Sequence, residues 1–122
     1  MKILSLTSVA ALFLATGTAY AGSSFFEGYS TEGDTCWMVK ETSDGFLAVR
    51  DRPDARGELI ASLRPGYPLI SSPDNQFLDA EEAGRYKNWT KWVYVKGWFT
   101  REDAEPSWGW VHGKYIKKVS CK

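Results

Sequence analysis

Hydrophobic residues along most of this chain occur in short runs, separated by turn-forming glycine, proline and aspartate residues. The clearest run is residues 92–95, in which aromatic residues alternate with valine. Val93 and Val95 share one face of a strand, and the two aromatic residues share the other. No stretch of about ten residues has a convincing helical period. Several short strands joined by turns predict an all-β barrel or sandwich.

The predicted strands are four or five residues long, and turn signals separate them. Asp44-Gly45 is a turn dipeptide, and Pro65-Gly66 has the order that fits a type II turn. Residues 71–88 and 100–107 are polar and predict two long loops, the first with one helical turn at 78–83. The strand candidates are 36–39, 46–50, 59–63, 67–70, 92–95, 108–112 and 116–119.

The first 21 residues have the layout of a secretory signal peptide. Lys2 supplies a positive charge, residues 3–15 are apolar, and the triplet Ala19-Tyr20-Ala21 has small residues at both ends, so cleavage is expected after Ala21. The apolar run is shorter and more interrupted than the roughly 20 residues that a membrane-spanning helix needs. We therefore expect an exported protein, periplasmic or secreted, with no stable membrane insertion.

Cleavage after residue 21 would leave one small domain. Residues 22–34 are rich in Gly, Ser and acidic residues and predict a flexible lead-in, although Phe25, Phe26 and Tyr29 are able to dock on the domain. Residues 35–122 form the domain proper. Loss of one lysine changes the formal net charge from 0 to −1, which offers no bulk attraction to nucleic acid.

The remaining chain contains both cysteines, Cys36 and Cys121. An exported chain meets an oxidising compartment, and two cysteines permit a single intramolecular bridge. We expect the Cys36–Cys121 disulfide, which would close nearly the whole domain. Such a bridge compensates for the small core of a short domain.

Four motifs in order resemble bacterial SH3 (SH3b) domains. Residues 45–53, GFLAVRDRP, are similar to the opening of these domains, and residues 59–66 are similar to their next strand and turn. Residues 92–95 match the W-x-x-V strand, and the closing G-W-V-x-x-x-Y-L pattern is matched by Gly109-Trp110-Val111 and Tyr115-Ile116. The resemblance implies an SH3-like, partly open barrel of about five to seven short strands. Its termini would lie close together, which supports the expected disulfide.

The resemblance also implies a ligand face. In eukaryotic relatives of this fold, the Trp of the W-x-x-V strand and the Tyr of the final turn line the ligand groove. Carried over by motif, these residues are Trp92 and Tyr115, with His112 near them. Tyr94 shares the Trp92 face, and Trp110 is expected to point outward beside it. Departures from the family pattern, such as Arg52 in place of a usual Gly and two longer loops, argue against direct transfer of a family ligand.

The sequence contains no motif typical of catalysis, metal binding or phosphate binding. An enzyme would have to rely on His112, the only histidine, while both cysteines are expected to be bridged. We therefore expect a monomeric, non-catalytic binding module without a cofactor. Its ligand would be a peptidoglycan peptide or an exported protein. The alternative is a periplasmic interaction or inhibitor protein that acts through loops 71–88 and 100–107.

Overall fold

The computed structural model describes residues 25–73, 80–100 and 102–122. The predicted signal peptide and its cleavage after Ala21 lie outside the described residues, as do 74–79 of the first long loop and 101 of the second. Within the described ranges, no helix has both the length and the apolar character required to cross a membrane.

Short strands make up most of the described chain, and short helical segments connect or precede them. Residues 25–29 are helical and are called α1. The other helical segments are α2 (Ala80–Ala83) and two 3₁₀ turns, η1 (Trp89–Lys91) and η2 (Gly113–Tyr115). The strands are β1 (Thr35–Val39), β2 (Leu47–Arg50), β3 (Leu59–Leu63), β4 (Pro68–Ser71), β5 (Trp92–Gly97), β6 (Ser107–His112) and β7 (Ile116–Val119).

The seven strands form one antiparallel sheet in the order β3-β2-β6-β5-β4-β1-β7. The two end strands do not pair with each other, so the sheet is open. Every strand nevertheless contributes to one buried cluster, which requires the sheet to curve around a common core. The predicted fold class, a small all-β and partly open barrel with one disulfide, is confirmed. The buried cluster consists of Val39, Leu47, Val49, Leu63, Leu69, Val95, Val111 and Ile116.

The alternation predicted for β5 is confirmed. Val95 is fully buried and Val93 packs against the main cluster, while Trp92 and Tyr94 lie on the opposite face. The predicted type II turn also forms, because Gly66 has a φ of 88° and the turn closes with a Tyr67 N–H···O=C Arg64 hydrogen bond of 3.2 Å.

A second buried cluster covers the other face of β1 and β4. It contains Phe25 and Phe26 of α1 with Cys36 and Ile70, and the Phe25 ring lies 5.1 Å from that of Trp98. The aromatic residues that precede the barrel therefore dock on its outer surface. The Cys36–Cys121 disulfide, with a Cα–Cα distance of 5.4 Å, lies beside this cluster and confirms the expected pairing.

Candidate functional site

A groove with a volume of about 580 Å³ opens where five parts of the chain meet. These are the β1–β2 connection, β2, the β2–β3 connection at Ala55, the first residue of β5, and the end of β6 with the η2 turn. Its lining residues are Lys40, Glu41, Thr42, Ser43, Asp44, Phe46, Leu47, Ala48, Arg50, Ala55, Trp92, His112, Lys114 and Tyr115.

Three of the five predicted ligand-contact residues meet in this groove. Trp92 and His112 are cross-strand partners of β5 and β6, and their rings lie 5.4 Å apart at 63°. The His112 ring is also 5.8 Å from that of Tyr115, at 60°. Edge-to-face geometry of this kind is the favoured arrangement for neighbouring aromatic rings. The three side chains therefore form one continuous aromatic wall.

Backbone contacts fix the position of Tyr115 within that wall. The His112 side chain caps η2, because its Nδ1 accepts a hydrogen bond from the Lys114 N–H at 3.2 Å. The Lys40 N–H donates to the Tyr115 carbonyl at 2.8 Å, and the Lys40 Nζ donates to the Lys114 carbonyl at 3.2 Å. The β1–β2 connection is thus tied to η2, and both walls of the groove are held together.

His112 presents a neutral imidazole to this wall. Burial lowers its pKa below the ordinary value of 6.5, and the positive charges of Lys114 and Lys91 lower it further. Because Nδ1 acts as the acceptor for Lys114, the neutral ring carries its proton on Nε2. The groove therefore has a neutral hydrogen-bond donor next to the two larger aromatic rings.

The other two predicted residues extend the aromatic row along the β5–β6 hairpin. The Tyr94 ring stacks on that of Trp108 at 5.0 Å and 11°, and it lies 4.9 Å from the Trp110 ring. Burial raises the pKa of the Tyr94 hydroxyl, which keeps it protonated. Neither Tyr94 nor Trp110 lines the groove.

The position of Trp110 differs from the expectation that it forms part of an exposed ligand face. It lies on the face opposite Val111, as expected for an outward side chain, and it is paired with Tyr94 on one side and Arg50 on the other. These neighbours stand on the same outer face, and only 3% of Trp110 remains exposed. The Trp110 ring therefore packs against the Tyr94 ring and is too buried to serve as a contact surface for a ligand.

The β2 side of the groove was not predicted from the sequence. Phe46 is 54% exposed, and Ala48 and Arg50 follow it at alternate positions along the same wall. The signal was present in the run Phe46–Arg50, because assigning Leu47 and Val49 to the core assigns the intervening residues to the outside.

Charges of both signs surround the aromatic wall. Lys40, Arg50 and Lys114 are basic, and Glu41 and Asp44 are acidic. The Arg50 guanidinium also donates through Nη1 to the Gly57 carbonyl at 2.9 Å. This hydrogen bond restricts the orientation of the guanidinium. Such a rim suits a ligand that carries both carboxylate and amino groups more than it suits a polyanion.

The loops named in the alternative hypothesis are only partly described. Ala80–Ala83 forms a helical turn within the predicted 78–83 segment, and η1 leads directly into Trp92. Residues 74–79 and 101 of these loops lie outside the described part of the chain.

No protein-family profile, curated protein or solved structure matches this chain. The resemblance to SH3b domains therefore stays a prediction based on the motifs.

Proposed function

We propose that this protein is an exported, non-catalytic binding module whose groove takes an extended peptide of the bacterial cell wall. The observation that carries the proposal is the meeting of Trp92, His112 and Tyr115 in one groove with the exposed ring of Phe46 opposite. An apolar cleft with a few polar groups is the usual form of a ligand site. Aromatic rings provide contact area at a small entropic cost, because they have few rotatable bonds.

The charges and the shape of the groove favour a peptide. A peptidoglycan peptide carries free carboxylates and amino groups, which match the basic and acidic residues around the aromatic wall. The groove also passes β2 and the first residue of β5, so an extended ligand would contact aromatic rings and charged groups on both sides. A segment of another exported protein is the main alternative occupant.

Two features support export without catalysis. The Cys36–Cys121 disulfide belongs to the class that persists in oxidising compartments, in agreement with the predicted signal peptide. His112, the residue on which catalysis would depend, uses Nδ1 to cap η2, and both cysteines are bridged. The side chains most suited to nucleophilic chemistry are thus committed to structure.

Retention on purified peptidoglycan tests the proposal. The processed chain, residues 22–122, should be retained, and Trp92→Ala or Tyr115→Ala should each weaken retention at least about tenfold, because each removes a central aromatic contact. Trp89→Ala is the matched control, since Trp89 is partly buried but does not line the groove. Circular dichroism would verify that each variant folds. Equal retention of wild type and both groove variants, or no retention of the wild type, would contradict the proposal.

A further inference from the structure

The two ends of the sheet differ in how they are protected. At one end, β7 exposes Lys117 and Lys118. Charged side chains, lysine above all, are a common means of preventing an edge strand from pairing with another chain. At the other end, β3 exposes Leu59 and Ile60, which are 52% and 41% accessible. Among the described residues, the β3 edge is therefore the more apolar of the two, although the register shift against β2 interrupts part of it.

The backbone of β3 is extended, and some of its N–H and C=O groups point away from β2. Asp51 donates its N–H to the Glu58 carbonyl at 3.0 Å, so the backbone of Glu58 faces β2. Residues of an antiparallel ladder alternate in this respect, so the N–H and C=O of Leu59 face the open edge. Ile60 falls at the register shift and has no opposite residue on β2, which explains its exposure.

We propose that β3 pairs with β3 of a second copy of this chain, antiparallel across a two-fold axis. The charges at the ends of the strand identify the occupant. Glu58 precedes the strand and Arg64 follows it, both are exposed, and neither takes part in an ion pair within the described ranges. A two-fold axis makes the paired strands antiparallel, so each Glu58 lies near the Arg64 of the other copy. The strand is thus complementary to itself in charge and in its apolar residues.

The interface consists of one five-residue strand and two apolar side chains from each copy, so it is small. Small interfaces are typical of weak, reversible association. We therefore expect a dimer that forms in a concentration-dependent way, in place of the monomer expected from the sequence. The inference is independent of the proposed function, because Leu59 and Ile60 do not line the groove.

Sedimentation velocity of residues 22–122, from about 10 μM to about 1 mM, tests the pairing. The wild type should shift from monomer to dimer across this range. Ile60→Lys should remain monomeric throughout, because it places a charge on the open edge. Lys118→Glu on β7 is the matched control and should dimerise like the wild type. Peptidoglycan retention by Ile60→Lys should match that of the wild type, which separates failure of this inference from failure of the proposed function.

Charge reversal identifies the partner strand. Glu58→Arg and Arg64→Glu should each weaken the dimer about tenfold or more, because each places like charges together at both ends. The double variant should recover the wild-type association. A mixture of the two single variants should form a heterodimer more readily than either variant dimerises alone. A wild type that stays monomeric at about 1 mM would overturn the inference, as would a dimer that is unaffected by both single charge variants and by Ile60→Lys.

Discussion

Gly109 of β6 leaves no room for a side chain between β6 and the core residues of β2. A Cβ atom at this position would lie 2.4 Å from Cγ1 of Val49, which is itself fully buried. Overpacking of this kind typically costs about 1–3 kcal/mol, because neighbouring atoms have no free volume into which to move. We expect Gly109→Ala to lower the free energy of unfolding by that amount in urea denaturation.

Gly28 offers a matched control for Gly109. Among the described residues, no atom outside its own helical segment and chain neighbours lies within 4 Å of the position that its Cβ would take, and it lies in α1. Alanine is favoured over glycine inside a helix, so Gly28→Ala should leave stability unchanged or raise it by up to about 1 kcal/mol. Equal stability of Gly109→Ala and Gly28→Ala would argue against a tight approach of β6 to β2.

The lowered pKa of His112 makes stability depend on pH. Below the ordinary value of 6.5 the unfolded chain binds a proton, whereas the folded chain retains the neutral imidazole until the pH reaches its lowered pKa. The free energy of unfolding should therefore fall as the pH drops from 6.5 through this interval, and the contribution should be constant above it. His112 is the only histidine, so one imidazole resonance in proton NMR reports the folded pKa directly.

A variant that retains the cap but does not titrate isolates this effect. The side-chain oxygen of His112→Asn is able to accept the Lys114 N–H, as Nδ1 does in the wild type. The difference in unfolding free energy between wild type and variant should then change as the pH falls below 6.5, the ordinary pKa of the unfolded imidazole. An imidazole that titrates at or above 6.5 in the folded protein would be inconsistent with burial beside two lysines.

At the scale of the elements, strands marked by turn residues and apolar runs were predictable from the sequence. The burial of a surface by a distant part of the chain was not. The limits of β3 and β7 agree with the predicted 59–63 and 116–119, because turn residues and apolar runs mark both ends. The burial of Trp110 depends on its pairing with Arg50, which is 60 positions away in the chain. The described part of α1, residues 25–29, is too short for a helical period to be read from sequence, and its burial depends on contacts with β1, β4 and Trp98.

The candidate site likewise combines residues that have a local signal in the sequence with residues whose position depends on distant contacts. Trp92 and Tyr115 were proposed from the motifs that resemble SH3b domains, and His112 because it lies between two of those motif residues in the sequence. The opposite wall of the groove comes from the β1–β2 connection, where Glu41 and Asp44 show no pattern that would single them out. Their position depends on the hydrogen bonds that tie this connection to η2, and such long-range contacts leave no local signal.

At the scale of the whole molecule, the two buried clusters have different sources of stability. The main cluster is enclosed by all seven strands. The second cluster lies outside the barrel, where α1, β1 and β4 meet beside the disulfide. The disulfide joins residues 85 positions apart, so it both restrains the unfolded chain and holds the C-terminal residues against this second cluster.

Removal of the disulfide should therefore affect the two clusters unequally. In the chain-entropy treatment, a loop of this length contributes about 4–5 kcal/mol, and measured losses in small secreted domains are typically about 2–5 kcal/mol. We expect Cys36→Ala/Cys121→Ala to lower the free energy of unfolding by about 2–5 kcal/mol. Trp98 packs against Phe25 and Tyr29 in the second cluster, so its environment should loosen before the barrel unfolds.

Amide hydrogen exchange at low denaturant separates these two contributions. Amides of α1 and of the chain end after β7 should lose protection in the double variant, while those of β5 and β6, which pair along six residues, should remain protected. A reductant should lower the stability of the wild type to that of the variant and should leave the variant unchanged, since its only target is the bridge. Uniform loss of protection across both clusters would mean that α1 and the barrel unfold as one cooperative unit.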